Sequence, residues 1–185
     1  MEKKQTGNDR KSKIEPGQVH TERDHADAFT FKCNNEIQQE HFGDSRNLSM
    51  EGCLLFSFTK EAMKLHSAGR LENVTEQHKE HVFHCHLSGD TSQNAATTHH
   101  HMKQLIEILI EDGTLEKGST VFDHSDGCAK QHRCGASLNL LSMLAQSFKI
   151  KIDRAVSAPG HGKGMVDTQN GGKTTTLNLA CRRTF

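Results

Sequence analysis

Met102, Leu105, Ile106, Leu109 and Ile110 recur at i, i+3, i+4, i+7 and i+8, with Gly113 just beyond them. An apolar stripe at this period predicts an amphipathic helix, and the glycine marks where it stops. The segments after it constrain the architecture further. Ser119 to Asp123 reads as a short strand left by a turn at Asp126-Gly127. A second helical stretch runs from about Cys128 to Phe148, with Cys134, Leu138, Leu141, Ala145 and Phe148 on one face. Phe148, Ile150 and Ile152 then alternate with charged residues into a strand ending near Ala155.

Upstream, residues 53 to 58 and 81 to 87 are short apolar or alternating runs and read as strands; Thr59 to Leu71 between them reads as a short helix or a long loop. A weaker strand starts at Val19, passes Asp24 and continues through Phe29 and Phe31. Its first half, His20-Thr21-Glu22-Arg23, is polar where a buried strand would be apolar. Beyond Pro159-Gly160-His161-Gly162, a last helical stretch contains Asp167. The expected fold is therefore α/β, a mixed five-stranded sheet flanked by helices in the order βββαβαβα, which is the element order of the ribonuclease H fold.

Leu, Ile, Val and Phe make up only about a fifth of the 185 residues, so the core is expected to be thin. One domain accounts for a chain of this length, at residues 18 to 181, preceded by a flexible basic tail over residues 1 to 17. Lys plus Arg equals Asp plus Glu at 23 each, which removes any bulk attraction to nucleic acid phosphates. A DNA substrate would have to be held locally, through a region outside this sequence or by a partner subunit. Trp and Tyr are absent, so base stacking on such platforms is excluded. No apolar window reaches the length of a membrane span, and the basic start lacks the apolar stretch of a signal peptide. The six dispersed cysteines are read as reduced thiols, which implies an intracellular protein.

Three short motifs carry the chemistry. The first is Asp24-His25-Ala26-Asp27-Ala28-Phe29, followed by Glu36-Ile37-Gln38 and His41-Phe42. The second is Ser125-Asp126-Gly127-Cys128-Ala129-Lys130-Gln131, and the third is His161-Gly162-Lys163-Gly164-Met165-Val166-Asp167. In order and spacing they resemble the motifs of transposase-like proteins with a ribonuclease H-like catalytic core, in which an Asp-Phe-Ala-Glu-Asn-Tyr run, a Ser-Asp-Gly-x-x-x-Gln motif and a His-Gly-Lys-Gly-x-x-Asp motif follow one another. The resemblance covers most of residues 18 to 181. It implies that Asp24, Asp126 and Asp167 are catalytic metal ligands, with Asp27 the alternative on the first strand. It also implies that Gln131, His161 and Lys163 line the site, touching substrate phosphates or positioning the final helix.

Three converging carboxylates are what a pair of Mg²⁺ or Mn²⁺ ions needs for phosphodiester hydrolysis or strand transfer, since hard cations take oxygen ligands. The expectation is a transposase-derived, nuclear, DNA-acting core, either active or kept as a non-catalytic DNA- or protein-binding remnant.

The rival constellations are weaker. Cys128 and Cys134, with His124 and His132, suggest a zinc-stabilised domain, but the spacing fits no common finger and one helix would aim the two thiols apart. The histidines at 81, 84, 86 and 99 to 101 read as solvated. Lys149, Lys151, Arg154 and Lys163 read equally as a basic rim for a DNA backbone or as a solvated strand edge. Gly172-Lys173-Thr174 lacks the first glycine of a phosphate loop, because Asp167 stands in its place.

Overall fold

A computed structural model describes residues 14–30, with side chains as far as Ala26, and residues 47–157. Strand β1 (Gln18–Thr30) lies at the centre of a five-stranded sheet. It pairs antiparallel with β2 (Asn47–Phe58) and parallel with β4 (Thr120–Ser125). Strand β3 (Lys79–Ser88) extends the sheet antiparallel beyond β2, and β5 (Lys151–Val156) extends it parallel beyond β4, giving the order β3-β2-β1-β4-β5. The mixed α/β class and the five-stranded mixed sheet expected from the sequence are therefore present.

Helix α1 (Lys60–Ser67) follows β2 and is capped by Thr59, whose side chain accepts the Ala62 N–H at 3.2 Å. This settles the stretch left open as helix or loop, and it inserts a helix between the second and third strands. Helix α2 (Ala95–Glu111) precedes β4, and helix α3 (Gly135–Phe148) joins β4 to β5. The expected final helix, with Asp167, lies outside the described residues. Among the described residues no helix is long and apolar enough to cross a membrane.

One main core forms between the sheet and the pair α2 and α3. Val19, Cys53, Leu55 and Val121 rise from the strands to meet Met102, Leu105, Ile106 and Leu109 of α2 and Leu141 and Leu144 of α3. The stripe read from the sequence is thus buried in α2 from Met102 to Leu109, while Ile110, read as part of it, is exposed. In α3 the buried positions are Ser137, Leu141 and Leu144, while Leu138 is exposed. A second, smaller cluster joins Ile14, Phe58 and Ala62. Ile14 is 4% exposed, so packing reaches back into the stretch expected to be tail. The chain enters β1 through a turn in which the Gln18 N–H donates to the Glu15 carbonyl, with Pro16 next and Gly17 at φ 82, the residues a type II turn requires at those two places.

Two boundaries moved for physical reasons. Helix α2 begins seven residues before Met102 because Asn94 caps it, its side chain accepting the N–H groups of Ala96 at 2.8 Å and Thr97 at 3.2 Å. Asn94→Ala should lower stability by about 1 kcal/mol, read as a lower denaturant midpoint at unchanged slope. An unchanged midpoint would mean that the cap holds nothing. Helix α3 begins only at Gly135, after Cys134, because residues 128–133 form turns. Cys128 and Cys134 therefore do not share a helix, contrary to the expectation.

Candidate functional site

On β1 the odd positions Val19, Thr21, Arg23 and His25 face α2 and α3, and the even positions His20, Glu22 and Asp24 face the opposite side, as strand alternation requires. The apolar core gives way, toward the carboxyl ends of β1, β4 and β5, to a buried polar network. Arg23 donates to Asp123 through Nε at 2.8 Å and through a terminal nitrogen at 3.2 Å, and to Glu51 at 3.1 Å. It also reaches the Thr98 carbonyl of α2. Arg154 donates to Asp123 Oδ2 at 2.6 Å, the oxygen it shares with the Arg23 terminal nitrogen, and to Ser137 of α3 at 2.7 Å, and Thr21 donates to Asp123 Oδ1 at 3.1 Å. His101 of α2 closes the network on Glu51 at 2.6 Å. An ionised carboxylate can only accept, so the ring carries its hydrogen on Nδ1.

Two guanidinium groups thus face two carboxylates with almost no water. Burial alone would push Asp123 and Glu51 toward the neutral form, but the guanidinium charges outweigh it, with Arg23 the largest contributor to each, and both carboxyls lie below their ordinary range. Burial likewise opposes the charge on Arg23, and Asp123 and Glu51 more than restore it. The Cys53 thiol, buried beneath, is pushed up by desolvation. Arg154 belongs to this network and not to an exposed basic rim, and His101 is 3% exposed and bonded instead of solvated.

Asp123 has its oxygens committed to Arg23, Arg154 and Thr21, which leaves it no role as a metal ligand. Asp126, one residue beyond β4, is different. Its side chain is 34% exposed. One oxygen accepts the Cys128 N–H at 3.3 Å and lies 3.4 Å from His132 Nε2. The β1–β4 register ends at Arg23 opposite Ser125. Asp24 and Asp126 are the next residues in sequence. On its other side Asp24 is paired with Gly52 of β2. His25, next along β1, is lowered by burial while the negative charges of Glu51 and Asp126 oppose that shift, which reflects the nearness of Asp126.

Two of the three expected carboxylates thus follow the last pair of the parallel β1–β4 ladder, toward the edge at which α/β sheets bind ligands. Asp167, His161 and Lys163 lie outside the described residues, as does the side chain of Asp27. Gln131 is buried in the turn after Asp126.

His132, considered from the sequence only as a zinc ligand, stands in the site. Its ring is 1% exposed, neither nitrogen has a hydrogen-bond partner among the described residues, and burial holds it neutral by pushing its pKa down to about 3. Its place directly after Gln131 in the second motif was the available signal. Cys53, Cys85, Cys128 and Cys134 are free thiols. Cys128, Cys134, His124 and His132 form no cluster of three ligands among the described residues.

Residues 3–183 match a family model described as a domain of unknown function (DUF8701). No curated protein and no solved structure matches the chain.

Proposed function

The chain belongs to the DUF8701 family, whose description assigns no activity, and we propose from its own residues that it is a ribonuclease H-like core of the transposase type. Its substrate class is DNA, and its reaction is metal-dependent hydrolysis or transesterification of a phosphodiester. The observation that carries the reading is that Asp24 and Asp126 directly follow the last paired residues of β1 and β4, Arg23 and Ser125, at the carboxyl end of the parallel part of the sheet. The strand order β3-β2-β1-β4-β5, with β2 alone antiparallel to the rest, supports this reading.

The donor set is all oxygen, which suits Mg²⁺ or Mn²⁺. Two such ions activate a water or 3′-hydroxyl and stabilise the departing oxygen. Asp24 and Asp126 would hold them, with Asp167 as the third ligand. The chain's own contribution is rigidity. The Arg23–Asp123–Arg154 network locks the strand ends from which both carboxylates project, and neutral His132 backs Asp126 without neutralising it. Gln131 supports the turn, while His161 and Lys163 would meet substrate phosphates.

The test is nicking of supercoiled DNA by the purified chain in Mg²⁺ or Mn²⁺. Asp126→Asn and Asp24→Asn should each reduce the rate at least about a hundredfold, the worth of removing several kcal/mol of charge stabilisation, with unfolding midpoints unchanged. Nicking that survives either substitution would remove the reading. A specific observation favours one second reading, a non-catalytic remnant. The buried network is complete without Asp24 or Asp126, so the fold would outlast the chemistry. Absence of nicking with intact folding would select it.

A further inference from the structure

We propose that His20, Glu22 and His124 form a binding site for a borderline divalent ion of the Zn²⁺ class, separate from the Asp24–Asp126 pair. One ligand atom from each of the three lies within 4.8 Å of the other two, the one such group among the described residues. The strand ladder produces the convergence. His20 and Glu22 are two apart on β1 and so share a face, and Glu22 is registered directly opposite His124 on β4. All three lie on the sheet face away from α2 and α3.

The orientation of His124 is that of a metal ligand. Its Nε2 is hydrogen-bonded to the Ser157 hydroxyl at 2.9 Å, and its Nδ1 faces Glu22 Oε1 at 3.8 Å. A ligating imidazole is fixed in this way, one nitrogen held by an outer partner while the other carries the lone pair to the ion. Bonds of about 2.1 Å in a tetrahedron place ligand atoms about 3.4 Å apart. Shifts of about an ångström, within reach of small side-chain rotations, would therefore close the three around an ion.

Two imidazoles and one carboxylate favour Zn²⁺, Co²⁺ or Ni²⁺ over Mg²⁺, which prefers oxygen alone. His20 and Glu22 are buried, whereas the His124 side chain is 28% exposed, so the fourth position opens on that side and would hold water. An ion here would clamp β1 to β4 at Glu22 and His124, two residues before Asp24 and Asp126.

The experiment is titration of the full chain with Co²⁺, followed by its visible d–d absorption and by competition with Zn²⁺. One equivalent should bind in a low-symmetry environment, be displaced by Zn²⁺ and be untouched by excess Mg²⁺. Glu22→Gln and His124→Gln should each weaken that equivalent more than tenfold. Ser157→Ala, which alters only the outer partner, should weaken it about tenfold. Asp24→Asn and Asp126→Asn should leave it in place, which separates this site from the one proposed for DNA cleavage. A measurement needing no variant is the ring resonances of the unaltered chain, where those of His20 and His124 should move first on adding Zn²⁺. Binding unaffected by Glu22→Gln and His124→Gln, binding lost with Asp126→Asn, first shifts at the His99–His101 run, or no bound equivalent would each overturn the site.

Discussion

Arg23→Met should destabilise the chain by about 3–5 kcal/mol, the usual consequence of removing one partner from a buried ion network, and enough to unfold a domain of ordinary stability. The reason lies in what remains. Methionine fills much of the volume, but Glu51 and Asp123 are each left buried and lose a directly bonded guanidinium. Asp123 keeps Arg154, and Glu51 keeps His101, which limits the loss. The decisive comparison is the double variant Arg23→Met with Glu51→Gln, which removes one charge of each sign. It should be more stable than Arg23→Met alone in chemical denaturation, because the charge that Arg23 compensated is gone. If the second substitution brings no recovery, the network is not held by charge balance and the account of the sheet's polar end fails.

Acidification from pH 7 to pH 4 should cost about 3 kcal/mol through His132 alone. Its ordinary value is 6.5, and the folded chain pushes it down to about 3. Between those limits the unfolded chain binds a proton that the folded chain refuses, so stability is level above 6.5 and falls steadily as pH drops, by about 1.4 kcal/mol per unit. His86, pushed down to about 4, chiefly by burial and also by nearby His101, against which its ring stacks, acts in the same direction. So do His25 and His84. The carboxylates work in a lower window, since Asp123 and Glu51 lose their stabilising contribution only as pH falls below the ordinary carboxylate range. Unfolding free energies across this interval should therefore show uptake of at least one proton, and His132→Gln should flatten the slope by about one. An unchanged slope would mean that His132 is already charged in the fold or reachable by water.

The legible parts of the fold were those governed by apolar periodicity. The α2 stripe from Met102 to Leu109, the alternation at Ile150 and Ile152 and the apolar run in β2 pack into the core where their spacing says they should, Ile110 excepted. The missed parts share one cause. The stripe of α2 continues from Met102 back through His101, Thr98 and Thr97, all buried, but it turns polar because the sheet beneath it turns polar at Arg23 and Glu51. Likewise His20-Thr21-Glu22-Arg23 looks like a poor strand only to a reading that scores burial by apolarity. A charged residue can sit at the centre of a sheet when its partners arrive from other elements, here from as far along the chain as Asp123 and Arg154. Nothing local in the sequence announces those partners.

The same division runs through the candidate site. Asp24 and Asp126 were identifiable as residues from their motifs, because short motifs record side-chain chemistry at fixed spacing. The parallel register of β1 and β4 that ends just before the two residues, the commitment of nearby Asp123 to two guanidinium groups and the burial of His132 behind Asp126 belong to the tertiary structure. Residue type and spacing determine which groups are present and which segments are helical or extended. Which carboxylate is neutralised by its neighbours and which stays available to a ligand depends on contacts a hundred residues apart in the chain, and only the assembled sheet brings those together.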